Sequence, residues 1–468
     1  MKTINIQNLI HFITVIAFAI LVSSFLLSCD DFLEPDDPFG QIPFQEIFED
    51  EATATAAITT LYAKLRDDVF LTGNSSGLSV QMGLYADELD FYGMPWEPNF
   101  EIYQHLINAT HSTVQTTWNK AYNLIYMANA AIEGLQGANA INENLKNQLQ
   151  GEALFVRAFT HFNLMNLYGD IPYITTTNYM VNKNVSRLPQ SQVFENILTD
   201  LIETKTLLED NYIGPERTRA NKPVISALMA RILLYQGNWQ EAEAESNSVI
   251  NNTALYSLEN QLENEFLVNS RSAILQFKPK NFGENTHEAS TFIFGSVPPP
   301  YLALTNSLVN SFEENDLRKT QWITELSDGN QSWYHANKYK ANTNTGMSVE
   351  YSIVIRLAEL YLIRAEARAK QNNLSGALQD INTIRNRAGL NNTTATSQTE
   401  ILQAILNERK WELFTEQGHR WFDIKRFEVA GQILAPIKPA WRETNILFPI
   451  PEADILLNPN LLPQNPGY

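Results

Sequence analysis

The sequence predicts a mainly α-helical fold, in which tetratricopeptide-like helix pairs form a scaffold interrupted by a loop-rich insertion containing short strands. Three observations predict it. First, two segments share one spacing: Ala230, Gly237, Trp239, Ala242 and Val249 in the first, and Ala365, Asn372, Leu374, Ala377 and Ile384 in the second. Paired helices need small residues where they cross and a helix-breaking turn between them, and both segments supply these. Second, apolar residues recur at intervals near 3.6 in several long runs, the mark of helices with one buried face. Third, the stretch from about Asn251 to Glu350 loses that period and fills with Gly, Asn, Ser and Pro.

In chain order, Lys2 leads an apolar run from Leu9 to Leu27 that closes in Leu26-Leu27-Ser28-Cys29. The run is long enough for a membrane span. Its position, its leading lysine and the small residue at its end read better as a secretory signal, residues 1–28. The tetrad resembles a bacterial lipobox, which makes Cys29 the expected lipidation site. The chain has 1 Cys, so neither an intramolecular disulfide nor a thiolate metal cage is possible. Residues 29–48, with Pro35, Pro38 and Pro43, read as an extended tether. A single domain is expected over 49–468.

Within it, the periodicity predicts a helix from about Glu49 to Arg66, with Ile58, Leu61, Tyr62 and Leu65 on one face. Gly73-Asn74-Ser75-Ser76-Gly77 is a loop, and Ala86 to Trp96 mixes acids and aromatics outside any helical period. Helices follow near Val114 to Leu135 and Asn147 to Leu167, the second stopped at Tyr168-Gly169-Asp170-Ile171-Pro172. Ser191 is the expected cap of the next helix. The helix pairs come next, Ala227–Gln236 with Glu241–Ile250, and Leu357–Gln371 with Gly376–Ala388, the last closed by Gly389. In the insertion, 251–350, the β-like runs are Ala273 to Phe277 and Thr291 to Phe294. Its exposed loops are where recognition is expected. Thr399 is the expected cap of a final helix through Asn407-Glu408-Arg409-Lys410-Trp411-Glu412, and Gly418 permits the turn into His419–Arg426. The ions here are interleaved with the apolar stripe, which predicts an internal ion-pair network; the rival is a catalytic carboxylate cluster.

Composition narrows the function classes. With 33 Lys and Arg against 52 Asp and Glu, the formal net charge is −19. A phosphate-binding surface needs a basic surplus, so nucleic acid is excluded as a partner, and docking on anionic lipid is disfavoured. The 7 His show no metal-ligand spacing, and no Gly-rich phosphate loop or nucleophile elbow is present. No cofactor is expected. A metal-binding loop built from scattered carboxylates remains open.

Several blocks together resemble the SusD/RagB family of Bacteroidetes outer-membrane nutrient-binding lipoproteins. They are the lipobox, Tyr168-Gly169-Asp170-Ile171-Pro172, Arg356 to Leu362 with Ala365-Glu366-Ala367, Ile384 to Leu390, Glu408 to Arg426, and the tail from Phe448-Pro449-Ile450-Pro451 to Tyr468. They are ordered along essentially the whole chain. The resemblance implies a SusD-like fold and a surface lipoprotein that captures glycan and lids a SusC-like TonB-dependent transporter. The acids after the cysteine (Asp30, Asp31, Glu34, Asp36, Asp37) look like the signal that sends such lipoproteins to the cell surface; charge alone fits a solvated tether equally well.

Family members bind sugars with aromatic platforms and a few polar side chains on loops. By that resemblance the expected ligand-binding residues are Trp96, in the loop after Asp87-Glu88-Leu89-Asp90, and Tyr301, in the loop before Asp316-Leu317-Arg318, with Asn99 and Trp333 as neighbours. An aromatic face stacks on the C–H face of a sugar, while polar side chains bond its hydroxyls. Each of the four could instead anchor a loop by packing. Three other readings compete. A glycosidase would use Asp87, Glu88 or Asp90; a pure protein-docking scaffold would not need aromatics in irregular segments; peptide capture would favour deep charged pockets over shallow aromatic platforms.

Overall fold

The structure is a computed structural model that describes residues 6–24 and 44–468. Cys29 and the acids that follow it lie outside the described residues. The chain divides into two compact units, Met1–Ile47 and Phe48–Tyr468. The first carries the apolar helix Ile6–Ser24.

The second unit is helical at its centre. Ser112–Gly137 packs on Glu143–Tyr168, which packs on Gln190–Leu207, and that helix meets Lys222–Gln236. Lys222–Gln236 pairs with Trp239–Ile250, and Leu357–Lys370 pairs with Leu374–Arg387. The two tetratricopeptide-like pairs are far apart in sequence, yet Trp239–Ile250 packs directly on Leu357–Lys370. A short antiparallel ribbon makes this possible. Ala273–Phe277 pairs with Ser352–Arg356, bringing the two ends of the insertion together, and Leu357 N donates to Ser272 O at 2.8 Å. The repeats are therefore interrupted in sequence and continuous in space. Ala365, Ala369, Ala377, Ile381, Ile401 and Ile405 form one fully buried cluster where these helices cross.

The expected apolar stripes are buried: Ile58, Leu61, Tyr62 and Leu65 in Glu51–Asp67, and Leu154, Ala158, Phe162 and Met165 in Glu143–Tyr168. Gly389 has φ +78° just past the end of its helix, and Gly418 has φ +76° at the turn into His419–Arg426. A Cβ at Gly418 would also lie 2.7 Å from that of Met82, so this turn needs glycine for both reasons.

Three local expectations are corrected. The last long helix, Gln398–Leu413, is capped by Ser397 rather than Thr399. Ser397 accepts from the Glu400 amide while Glu400 reaches back to the cap, a reciprocal capping box that outcompetes a cap further along. Ser191 lies inside Gln190–Leu207, whose N-cap is Pro189; the Asp170 carboxylate, from elsewhere in the chain, bonds the Gln190 amide. Thr291 to Phe294 is not a strand. Thr286 caps a short helix, His287–Phe292, that takes in its first half.

The charges near Gln398–Leu413 are paired in the interior. Arg318 bonds Asp316, Glu408 and Glu412; Arg356 bonds Glu265, Glu412 and Glu416; Arg387 reaches Glu265 and Glu412. Lys338 closes the network on Glu416 at 2.5 Å. Asp316, Lys338 and Glu265 come from the insertion, so the network clamps it to the C-terminal helices. Burial alone would raise the Glu412 carboxyl, but Arg387, Arg356 and Arg318 together hold it well below the ordinary carboxylate range.

Candidate functional site

A four-stranded antiparallel sheet builds the site. Its order is Leu89–Phe91, Leu302–Leu304, Ser332–Ala336, Ile323–Ser327. The first strand comes from the N-terminal half and the other three from the insertion. Pairing of Phe91 with Leu302 therefore places the loop after Phe91 beside the loop before Leu302. The Tyr92 and Gly93 amides both donate to the Tyr301 carbonyl, at 2.7 and 3.2 Å. The Met94 amide donates to Glu97 Oε1 at 3.0 Å, and Pro98 then opens a short helix, Pro98–Gln104. The intervening turn is thus fixed at both ends, and Trp96 stands on it 79% exposed.

Tyr301 is held from below. Asn99, itself buried, donates through Nδ2 to the Ser75 carbonyl at 2.7 Å and to the Tyr301 hydroxyl at 2.9 Å. The Phe91 ring meets Tyr301 edge to face, centroids 5.3 Å apart. Burial raises the Tyr301 phenol above its ordinary range, the Asn99 bond opposes this, and the nearby Glu97 carboxylate adds to the rise. Beside it opens a cavity of about 430 Å³ lined by Asn74, Ser75, Glu97, Ser290, Thr291 and Tyr301, with apolar contributions from its rim.

The four sequence-derived residues thus fall in one region but do different things. Trp96 offers an open indole face and Tyr301 borders the cavity. Asn99 positions Tyr301. Trp333 is 7% exposed, packed with Phe294 and Ala303 beneath the cavity wall, and presents no face to solvent. Asn74, Ser75, Glu97, Ser290 and Thr291 are the polar lining residues that the sequence did not single out as ligand-binding. Ser75 sits in a Gly/Asn/Ser loop whose composition marks a turn and nothing about what the turn faces.

The acids considered for catalysis do not line this cavity. Arg420 grips Asp87 bidentately at 2.7 and 2.8 Å. Glu88 is 2% exposed, and burial followed by the Asp87 charge raises its carboxyl to about 8. Asp90 accepts from the Tyr103 hydroxyl at 3.0 Å. Among the described residues, no group of three or more His, Cys, Asp or Glu is placed to hold a metal ion. A larger hollow of about 870 Å³ lies between residues 105–110 and the C-terminal segment, lined partly by Leu106, Ile455 and Leu456. Size favours that hollow, but the exposed tryptophan nearby and the hydroxyl-bearing residues of its lining favour the smaller cavity as a ligand site.

Comparison with known proteins agrees with this architecture. The SusD family model matches residues 230–440, and a second, described as starch-binding and associating with the outer membrane, matches 83–234. A SusD-like protein of Formosa agariphila is 29% identical, over 97% of this chain and 99% of its own length. The crystal structure of a SusD superfamily protein from Bacteroides vulgatus superposes with TM-score 0.79 at 21% identity, covering 90% of this chain and all of its own. A laminarin-binding SusD-like protein superposes with TM-score 0.76 at 22% identity, covering 90% of this chain and 100% of its own. The chain belongs to the SusD/RagB family, the two SusD models together matching residues 83–440.

Proposed function

We propose that this chain is a non-catalytic, cell-surface lipoprotein, anchored in the outer membrane through Cys29, that captures an oligosaccharide and passes it to a SusC-like TonB-dependent transporter. The observation that carries the capture step is Trp96: an almost fully exposed indole on a turn fixed by backbone bonds, beside a hydroxyl-lined cavity. A rigid exposed ring loses little conformational entropy when a sugar stacks on it. The Tyr301 hydroxyl, Ser75, Asn74 and Thr291 would bond the hydroxyls around the ring's edge. Family membership supports the glycan as ligand, and the name of the laminarin-binding neighbour is in keeping with it. The non-catalytic reading rests on where the candidate acids lie. Asp87 is tied to Arg420, Glu88 is closed off from solvent, and neither they nor Asp90 line the cavity, where Glu97 is the one carboxyl, so no pair of acids flanks a glycosidic bond held there.

The test is calorimetry of the whole chain in detergent micelles against oligosaccharides, with reducing ends assayed in the same samples. Binding without new reducing ends is expected. New reducing ends would overturn the non-catalytic reading, and absence of binding would overturn the capture reading.

A further inference from the structure

The charge around the cavity says which glycans fit. Its lining contains one acidic side chain, Glu97, and neither lysine nor arginine. Glu97 is not a swinging side chain. The Met94 amide holds its Oε1 at 3.0 Å, and the other oxygen lies toward Gly93, where a Cβ would meet it at 3.0 Å. The carboxylate is therefore fixed beside Tyr301 in the cavity lining, one residue along the chain from Trp96.

Two cations near the first strand of the sheet are already engaged. Arg420 is spent on Asp87. Lys438 is buried, with its ammonium 3.6 Å from the Tyr103 ring centroid and bonded to the Leu84 carbonyl at 3.0 Å. Recognition of a uronate or sulfate ester needs a fork of arginine N–H groups or a lysine that can reach the anion. Nothing lining the cavity supplies one, and the chain's net charge of −19 repels a polyanion before it arrives.

We infer that the site selects uncharged oligosaccharides and that Glu97 is a specificity-determining residue, accepting hydroxyl hydrogen bonds from a neutral sugar while excluding polyanionic chains. This rests on the capture reading above. A carboxylate accepts from two vicinal hydroxyls as readily as it repels a ring carboxylate or sulfate, so one group performs both tasks.

The experiment sets two panels against the whole chain in detergent at low and moderate ionic strength. The neutral panel is laminarin, cellulose, starch and mannan oligosaccharides; the anionic panel is alginate, pectin and carrageenan oligosaccharides of matched length. At least one neutral oligosaccharide should bind more tightly than every polyanion by about tenfold or more. Glu97→Gln keeps the acceptor for the Met94 amide and removes the charge. It should narrow the gap by strengthening the polyanion signal, more so at low salt, where screening is weakest. A polyanion that binds the wild type as tightly as any neutral glycan overturns the inference, and so does a Glu97→Gln chain with an unchanged polyanion signal. If Trp96→Ala abolishes such polyanion binding, glycan capture stands and the charge selection alone falls. Silence across both panels overturns capture and selection together.

Discussion

Two regions of this molecule are crowded with aromatic and charged side chains, and they differ in what surrounds those groups. In the helical interior, Glu408, Glu412, Arg318 and Arg356 are nearly inaccessible, each held by two or more opposite charges. On the sheet-edge loops, Trp96 is 79% exposed with no ring partner among the described residues, and the Glu97 carboxylate faces an open cavity with no cation in its lining. The same residue types build a clamp in one place and a landing surface in the other. Water access separates the two. Burial makes an unpaired charge intolerable, so interior ions must neutralise one another, whereas an exposed ring or carboxylate can wait for a ligand.

The comparison breaks most visibly in the interior. Glu412→Ala leaves Arg318, Arg356 and Arg387 each short of an anion in a dry setting. Urea unfolding should show a loss of about 3–5 kcal/mol, or a chain that does not fold at all. An unchanged midpoint would mean that the network does not clamp the insertion.

Glu88 sits between the two regions, under the first strand of the sheet, and sharpens the contrast through pH. Its folded carboxyl titrates at about 8 against an ordinary 4.5, so the folded state holds the proton more tightly than the unfolded chain. Its stabilising contribution is complete below the unfolded value and is lost as pH rises through about 8. Glu88→Gln abolishes that titration. Relative to wild type it should gain about 1–3 kcal/mol at about pH 9 and little at about pH 4. A pH-independent difference between the two chains would show that Glu88 is ionised throughout.

How much of this was legible in the sequence follows the same division. The helix pairs were readable because small residues and breaker turns recur at fixed spacing, and Ala365, Ala377 and Ile384 are buried where the helices cross. The interior ion network was readable because Glu408, Arg409 and Glu412 interrupt an apolar stripe. Caps were less so. Thr399, Ser397 and Ser191 are all chemically able to cap, and the choice fell to the reach of Glu400 and to the distant Asp170. The site was legible only in part, since Trp96, Asn99, Tyr301 and Trp333 meet through strand pairing between segments about 200 residues apart. Exposure could not be read from residue type: Trp96 and Trp333 look alike in sequence, and the sheet exposes one and buries the other.

Trp96→Ala isolates the loop face from the interior, and it is the measurement that bears most directly on capture by an exposed platform. The chain and its Trp96→Ala variant would be titrated with the tightest-binding oligosaccharide of the panels and unfolded in urea side by side. Capture by an exposed platform predicts an affinity loss of about tenfold or more, with stability changed by no more than about 0.5 kcal/mol because the residue is 79% exposed. Equal affinity for the two chains would contradict it.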